Sequence, residues 1–172
     1  MRIAGAGKQV GMTDAEIMAL AASLSSVGIE AEAGGTAIST VMSNIDKSVA
    51  TNGKSLVTWA STAGMSSEQF KAAWQNDVTG TLQRVIQGMS DAKAGGENLN
   101  LLLDELGVTS LRQTDVMKRM SNASDILNDS VDLANSSWEE NSALTQEAEK
   151  RYQTVESQMS MLKNEVYDLG IS

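Results

Sequence analysis

Apolar positions recur along the chain in steps of three and four, the spacing of one face of an α-helix, and strand-like alternation is missing. The first clear helix opens at Thr13. Thr13 and Glu16 have capping-box spacing, and Ile17, Leu20, Ala21, Leu24 and Val27 share a face before Gly28 closes the helix. A second carries Ile38, Val41, Met42, Ile45 and Val49 and ends where Asn52-Gly53 turns the chain. Its start can be read in two ways. Ala31, Gly35 and Ser39 fit a close contact between small residues. Against this, each interior glycine costs a helix about 1 kcal/mol, so a loop with a late helix start is the favoured reading of Gly34-Gly35.

Leu56, Val57, Trp59 and Ala60 predict a short helix, and Ser66 to Gln69 repeats the capping-box spacing ahead of Phe70, Ala73 and Trp74. Val78, Leu82, Val85, Ile86 and Met89 continue that apolar face, and residues 91–98, with Gly95-Gly96, form the expected loop or hinge. Leu99, Leu102, Leu103 and Leu106 then make a short helix closed by Gly107. Thr109 or Ser110 caps another running through Met117 and Met120. Gly11-Met12-Thr13, Gly64-Met65-Ser66 and Gly107-Val108-Thr109 each set a glycine, an apolar residue and a hydroxyl before a helix. Their unequal spacing favours independent use of one helix-start device over a true repeat.

The most regular pattern is the last. Leu127, Val131, Ala134, Trp138, Asn141, Thr145, Ala148, Tyr152, Val155, Met159, Leu162, Val166 and Leu169 alternate in unbroken steps of four and three, an a/d seam. Its middle is weak, because Trp138 is oversized, Asn141 and Thr145 are polar, and Ala134 and Ala148 are small. Such a stripe serves either to pack against its own chain's bundle or to self-associate, and the spacing leaves both open. The expected architecture is all-α: an irregular helical bundle over residues 1–123, then a long, acidic, heptad-patterned helix of coiled-coil character over residues 124–172.

Composition sharpens this picture. The 172 residues include no Pro, so no proline breaks the helices. Leu, Ile, Val and Phe together sit only just above the ~20% level below which chains tend to stay disordered, so the core must be thin. Cys and His are both absent, which removes thiolate nucleophiles, the commonest general base near neutral pH and the usual zinc and haem ligands. The net charge of −9 is uneven, with 10 acids against 3 bases in residues 124–172. That segment repels phosphate, so no stable nucleic-acid binding is expected. No apolar run approaches the ~18 residues of a membrane span, and the opening lacks the apolar stretch of a signal peptide.

Candidate chemistry is sparse. The adjacent carboxylates Asp104-Glu105 and Glu139-Glu140 point about 100° apart on a helix and read as solvated faces. AGAGK at residues 4–8 lacks the spacing of a phosphate-binding loop and reads as a chance match or a flexible lead-in. Asp125, Asp129 and Asp132 could gather a hard cation but are better explained as charges at a helix N-terminus. Trp59, Trp74 and Trp138 read as packing anchors, and the ten methionines as gap fillers in loose helix packing. The expectation is a protein that is not an enzyme and that needs no metal or cofactor.

Three stretches carry a family likeness: LAASLSSVGIEAEAGGTAISTVM from Leu20 to Met42, ASTAGMSSEQFKAAWQNDVTGTL at residues 60–82, and the run from NLNLLLDELGV at Asn98 through WEENSALTQEAEKRY, ending at Tyr152. Together they resemble the core region of tape measure proteins from phages and prophages with long, flexible tails. The resemblance implies a piece of a much longer chain acting as a structural ruler and scaffold in tail assembly. It also implies residence in the tail lumen of the virion after assembly in the bacterial cytoplasm, with other copies of itself and the tail tube and tail assembly proteins as partners. No catalytic residue is transferred. The runner-up is a free-standing helical protein-interaction module, which the length of the flanking reading frame would distinguish.

Overall fold

The computed structural model describes residues 2–137 together with Glu139 and Glu140. Among these residues there is no strand, and the architecture is an all-α irregular bundle of nine helices. They are α1 (Arg2–Gln9), α2 (Asp14–Ser26), α3 (Ala31–Thr51), α4 (Leu56–Thr62), α5 (Ser67–Asn76), α6 (Val78–Ala94), α7 (Leu99–Glu105), α8 (Leu111–Asn122) and α9 (124–137). Met1–Ala134 make one compact unit, and Asn135–Ser172 are grouped separately. In the second group Asn135, Ser136, Ser137, Glu139 and Glu140 are described, and all of them are helical.

The helix starts follow from local chemistry. Thr13 Oγ1 accepts from the Glu16 N–H while Glu16 accepts from the Thr13 N–H at 2.7 Å, and Ser66 with Gln69 repeats the arrangement. Each box satisfies two backbone groups that a helix start otherwise leaves bare. The helix ends share a second device. At Gly11, Gly28, Gly64, Gly96 and Gly107 the backbone turns left-handed, with φ between 69° and 92°. The next residue's N–H then reaches back five residues, as in Met12 to the Gly7 carbonyl at 2.9 Å and Val108 to the Leu103 carbonyl at 2.8 Å. This is the Schellman closure. At the end of α3 the left-handed residue is Asn52 (φ 50°), and Gly53 makes the back-reaching bond to Ser48 at 3.0 Å. With no proline, these corners, together with the breaks at Asp77 and Ala123, redirect the chain among the described residues. The glycine–apolar–hydroxyl recurrence is thus a Schellman corner followed by a cap at Thr13 and Ser66, whereas after Gly107 the cap falls one residue later, and Met12 and Val108 bury into the core behind their corners.

The core runs continuously from Ile3 to Val131. α3 is its axis: Ile38, Val41, Met42 and Ile45 are fully buried, and α1 and α8 pack along it. Trp59 from α4, Phe70 from α5, and Leu82, Val85, Ile86 and Met89 from α6 close the other side, each such side chain stabilising by roughly 1.5–3 kcal/mol. Phe70 and Trp74 stack with ring centroids 6.5 Å apart.

Several expectations are corrected. Residues 2–9 form α1 rather than a flexible lead-in: Ile3 is fully buried, and Gly7 lies so close to Ile17 that a Cβ would sit 2.7 Å from its Cγ1. The favoured loop at Gly34-Gly35 is instead the first turn of α3. A Cβ on Gly35 would lie 3.4 Å from Ile3 Cβ and 3.6 Å from the Ile3 nitrogen, so the small-residue contact with α1 outweighs the cost of an interior glycine. The face through Val78 continues, but the helix does not. Asp77 leaves helical geometry (φ −149°), and its side chain caps α6 by accepting from the Gly80 N–H at 2.8 Å. The loop expected over 91–98 shrinks to 95–98, because α6 runs to Ala94. Ser110, not Thr109, caps α8.

Candidate helix-association surface

α9 opens the segment whose heptad seam was the leading candidate from sequence. Asp125, Ile126, Asp129 and Asp132 face outward in its first turns, while Ser124, Leu127 and Val131 face the core. Leu127 is 1% exposed and Val131 4%, and Ala134 packs half-buried against the same cluster. Asn128 Oδ1 accepts from Gln83 Nε2 of α6 at 3.0 Å and fixes the rotation of α9. The first three seam residues therefore pack within the compact unit of their own chain. Nothing is described of the Trp138 side chain. Asn141, Thr145, Ala148, Tyr152, Val155, Met159, Leu162, Val166 and Leu169 lie outside the described residues, as does most of the span over which the heptad pattern predicts a long helix.

The rest of the surface shows what the bundle does with its polar groups. Among the described residues, no group of three or more His, Cys, Asp or Glu is placed to hold a metal ion, and no helix is long and apolar enough to cross a membrane. Two ion pairs, Lys8–Asp14 at 2.8 Å and Arg119–Asp115 at 3.0 Å, are solvent-exposed, and such pairs contribute about 0–1 kcal/mol each. A groove of about 550 Å³ opens where the C-terminal ends of α4 and α6 converge, lined by Ser61, Thr62, Asp91 and Glu97. The Ser61 and Thr62 hydroxyls both donate to the Thr58 carbonyl, and Asp91 accepts from Gln87. These groups tie down helix ends and are not paired as nucleophile and base. A second groove of about 430 Å³ lies beside Lys8, Asp46 and Trp74, where the Trp74 indole N–H donates to Asp46 at 3.3 Å. Trp59 and Trp74, 0% and 2% exposed, act as core anchors.

The Glu16 carboxyl departs from ordinary behaviour. Partial burial pushes Glu16 up, but hydrogen bonds from the Thr13 backbone N–H and the Thr13 hydroxyl outweigh it and hold the group below the usual carboxylate range. Its role is structural, since the same bonds close the N-terminal cap of α2.

Sequence reasoning missed a close approach of helix to backbone at Gly88. Gly88 of α6 lies directly under the Thr62 carbonyl at the end of α4, and a Cβ there would sit 1.6 Å from that oxygen. A lone glycine between Gln87 and Met89 carries no periodic signal. Its interior position in a strongly amphipathic helix is the one available clue. No protein-family model, curated protein or solved structure matches the chain.

Proposed function

We propose that the chain is a segment of a phage or prophage tail tape measure protein, a non-catalytic piece of a structural ruler. The observation that carries the reading is the likeness of residues 20–42, 60–82 and 98–152 to that family's core region. The physical organisation is compatible with it. Met1–Ala134 form a bundle held by aliphatic, Met and Trp packing, with no His or Cys to support the commonest catalytic chemistries. The six-heptad pattern beginning at Leu127 would supply a reproducible rise of about 1.5 Å per residue if it runs as a helix. Partners under this reading are other copies of the same chain and the tail tube and assembly proteins, with the assembled protein in the virion.

Reading the coding sequence outward from both ends tests this. A much longer helical reading frame flanked by tail genes supports a tape. A free-standing frame among genes unrelated to tails would sink it and favour an interaction module acting through its exposed helix faces.

A further inference from the structure

We propose that Asn52 is a site of spontaneous deamidation, guarded by the α3 corner and consumed when that corner opens. Asn52-Gly53 is the chain's single Asn-Gly pair, and a glycine after asparagine leaves the following backbone nitrogen unhindered. Among the described residues, the other five left-handed corners all use glycine, and only here does a side chain able to react with the next peptide nitrogen occupy the position. Asn52 is solvent-exposed, and Gly53 lines a groove of about 280 Å³ with Ser48, Ser55 and Leu106, so water reaches both residues.

The reaction is closed in atoms. The Gly53 nitrogen attacks the Asn52 side-chain carbonyl carbon, the new C–N bond forms as the C–NH₂ bond breaks, and ammonia leaves with the proton lost by the Gly53 amide. Water then opens the succinimide ring at either carbonyl and gives aspartate or isoaspartate.

In the closed corner the nucleophile is occupied, because the Gly53 N–H donates to the Ser48 carbonyl at 3.0 Å. The Ser48 and Ser55 hydroxyls, 2.7 Å apart, clamp the same turn, and the Gly53 backbone lies against Ser48. Attack therefore requires local opening of the C-terminal turn of α3, a sub-global fluctuation of the kind that hydrogen exchange measures. The product does not restore the corner. A carboxylate at residue 52 sits at the negative end of the 21-residue α3, and isoaspartate adds a backbone carbon between the Ser48 carbonyl and the Gly53 N–H. The joint between α3 and α4 is thus a one-way chemical timer that records cumulative opening.

The test incubates the purified full chain at mildly alkaline pH, folded and in denaturing urea, and follows residues 47–54 by peptide mass spectrometry and isoaspartate detection. Native-state hydrogen exchange of the Gly53 amide is measured in parallel. Expected is modification at Asn52 ahead of every other asparagine, at least roughly tenfold slower when folded, with the rate at low urea rising alongside Gly53 exchange. The Asn52→Gly variant, which suits the left-handed position, should keep its helical circular dichroism and form no product at residue 52. Equal rates in folded and unfolded protein, another asparagine reacting first, or unchanged isoaspartate yield in Asn52→Gly would each overturn the proposal.

Discussion

Replacing Gly88 with alanine tests the packing of α4 on α6 where Gly88 meets the Thr62 carbonyl. The added Cβ would fall 1.6 Å from the Thr62 oxygen and 2.7 Å from its carbonyl carbon, and both neighbours are backbone rather than the end of a flexible side chain. A carbon–oxygen contact relaxes only near about 3.3 Å, so the two helices must part by roughly 1.7 Å. That gap loosens the packing of α4 on α6, two helices whose Trp59, Ala60, Val85 and Met89 are all buried, and a gap of 0.5–1 Å already forfeits about a quarter to a half of a dispersion contact. Overpacking costs of about 1–3 kcal/mol belong at the upper end here. The roughly 1 kcal/mol gained by removing an interior glycine offsets only part. Expected is a net loss of about 2 kcal/mol, a fall in Tm of about 5–10 °C for a domain of this size. Gly5→Ala is the control: no heavy atom outside its own turn lies within 4 Å of its Cβ position, so it should raise stability by about 0.5–1 kcal/mol. Thermal and urea unfolding of both variants decide the matter. If Gly88→Ala matches the stabilising control, the α4–α6 contact is not the one described.

Other outcomes follow from the same structure. Glu16, held below the usual carboxylate range, adds stability above that range, and the contribution disappears as pH falls through the lowered value. The loss of stability between neutral pH and about pH 3 should therefore be smaller in Glu16→Gln, whose amide can close the cap as Gln69 does in α5; an unchanged acid loss would refute this. Thr13→Ala removes the cap acceptor of α2 and should cost about 1 kcal/mol by urea unfolding, whereas no change would mean the box is idle. Asn141→Leu at the seam should raise Tm while broadening the oligomer distribution by light scattering, and a loss of stability would count against a seam position. Duplex DNA should not be retained at low salt, and submicromolar binding that weakens steeply with salt would contradict the acidic-segment argument.

The elements most legible in the sequence were those set by neighbours in the chain. Thr13–Glu16, Ser66–Gln69, Gly28 and Gly107 announce caps because the partners are three to five residues apart, and Ile38 to Val49 announce a buried face by period alone. What the sequence hid depends on contacts between distant segments. Gly34-Gly35 reads as a loop until Ile3 of α1 is placed against it, and Gly88 has no meaning without Thr62. The break at Asp77 was masked because the apolar face stays in phase across it while the side chain takes over the backbone's hydrogen bond. The start of the seam was legible as a pattern, but its direction was not: a heptad stripe looks the same whether Leu127 and Val131 meet a second chain or, as here, their own bundle.

The most direct measurement of the ruler reading is tail length after an in-phase deletion in the full-length parent protein. Removing residues 147–160 takes out two whole heptads and leaves the seam in register on both sides. If the segment lies extended along the tube, electron microscopy should show tails that assemble and are shorter by about 21 Å on average, from ~1.5 Å per residue, read as a shift in mean ring number. Tails that assemble at unchanged length would mean that these residues measure nothing, and the tape reading would fail.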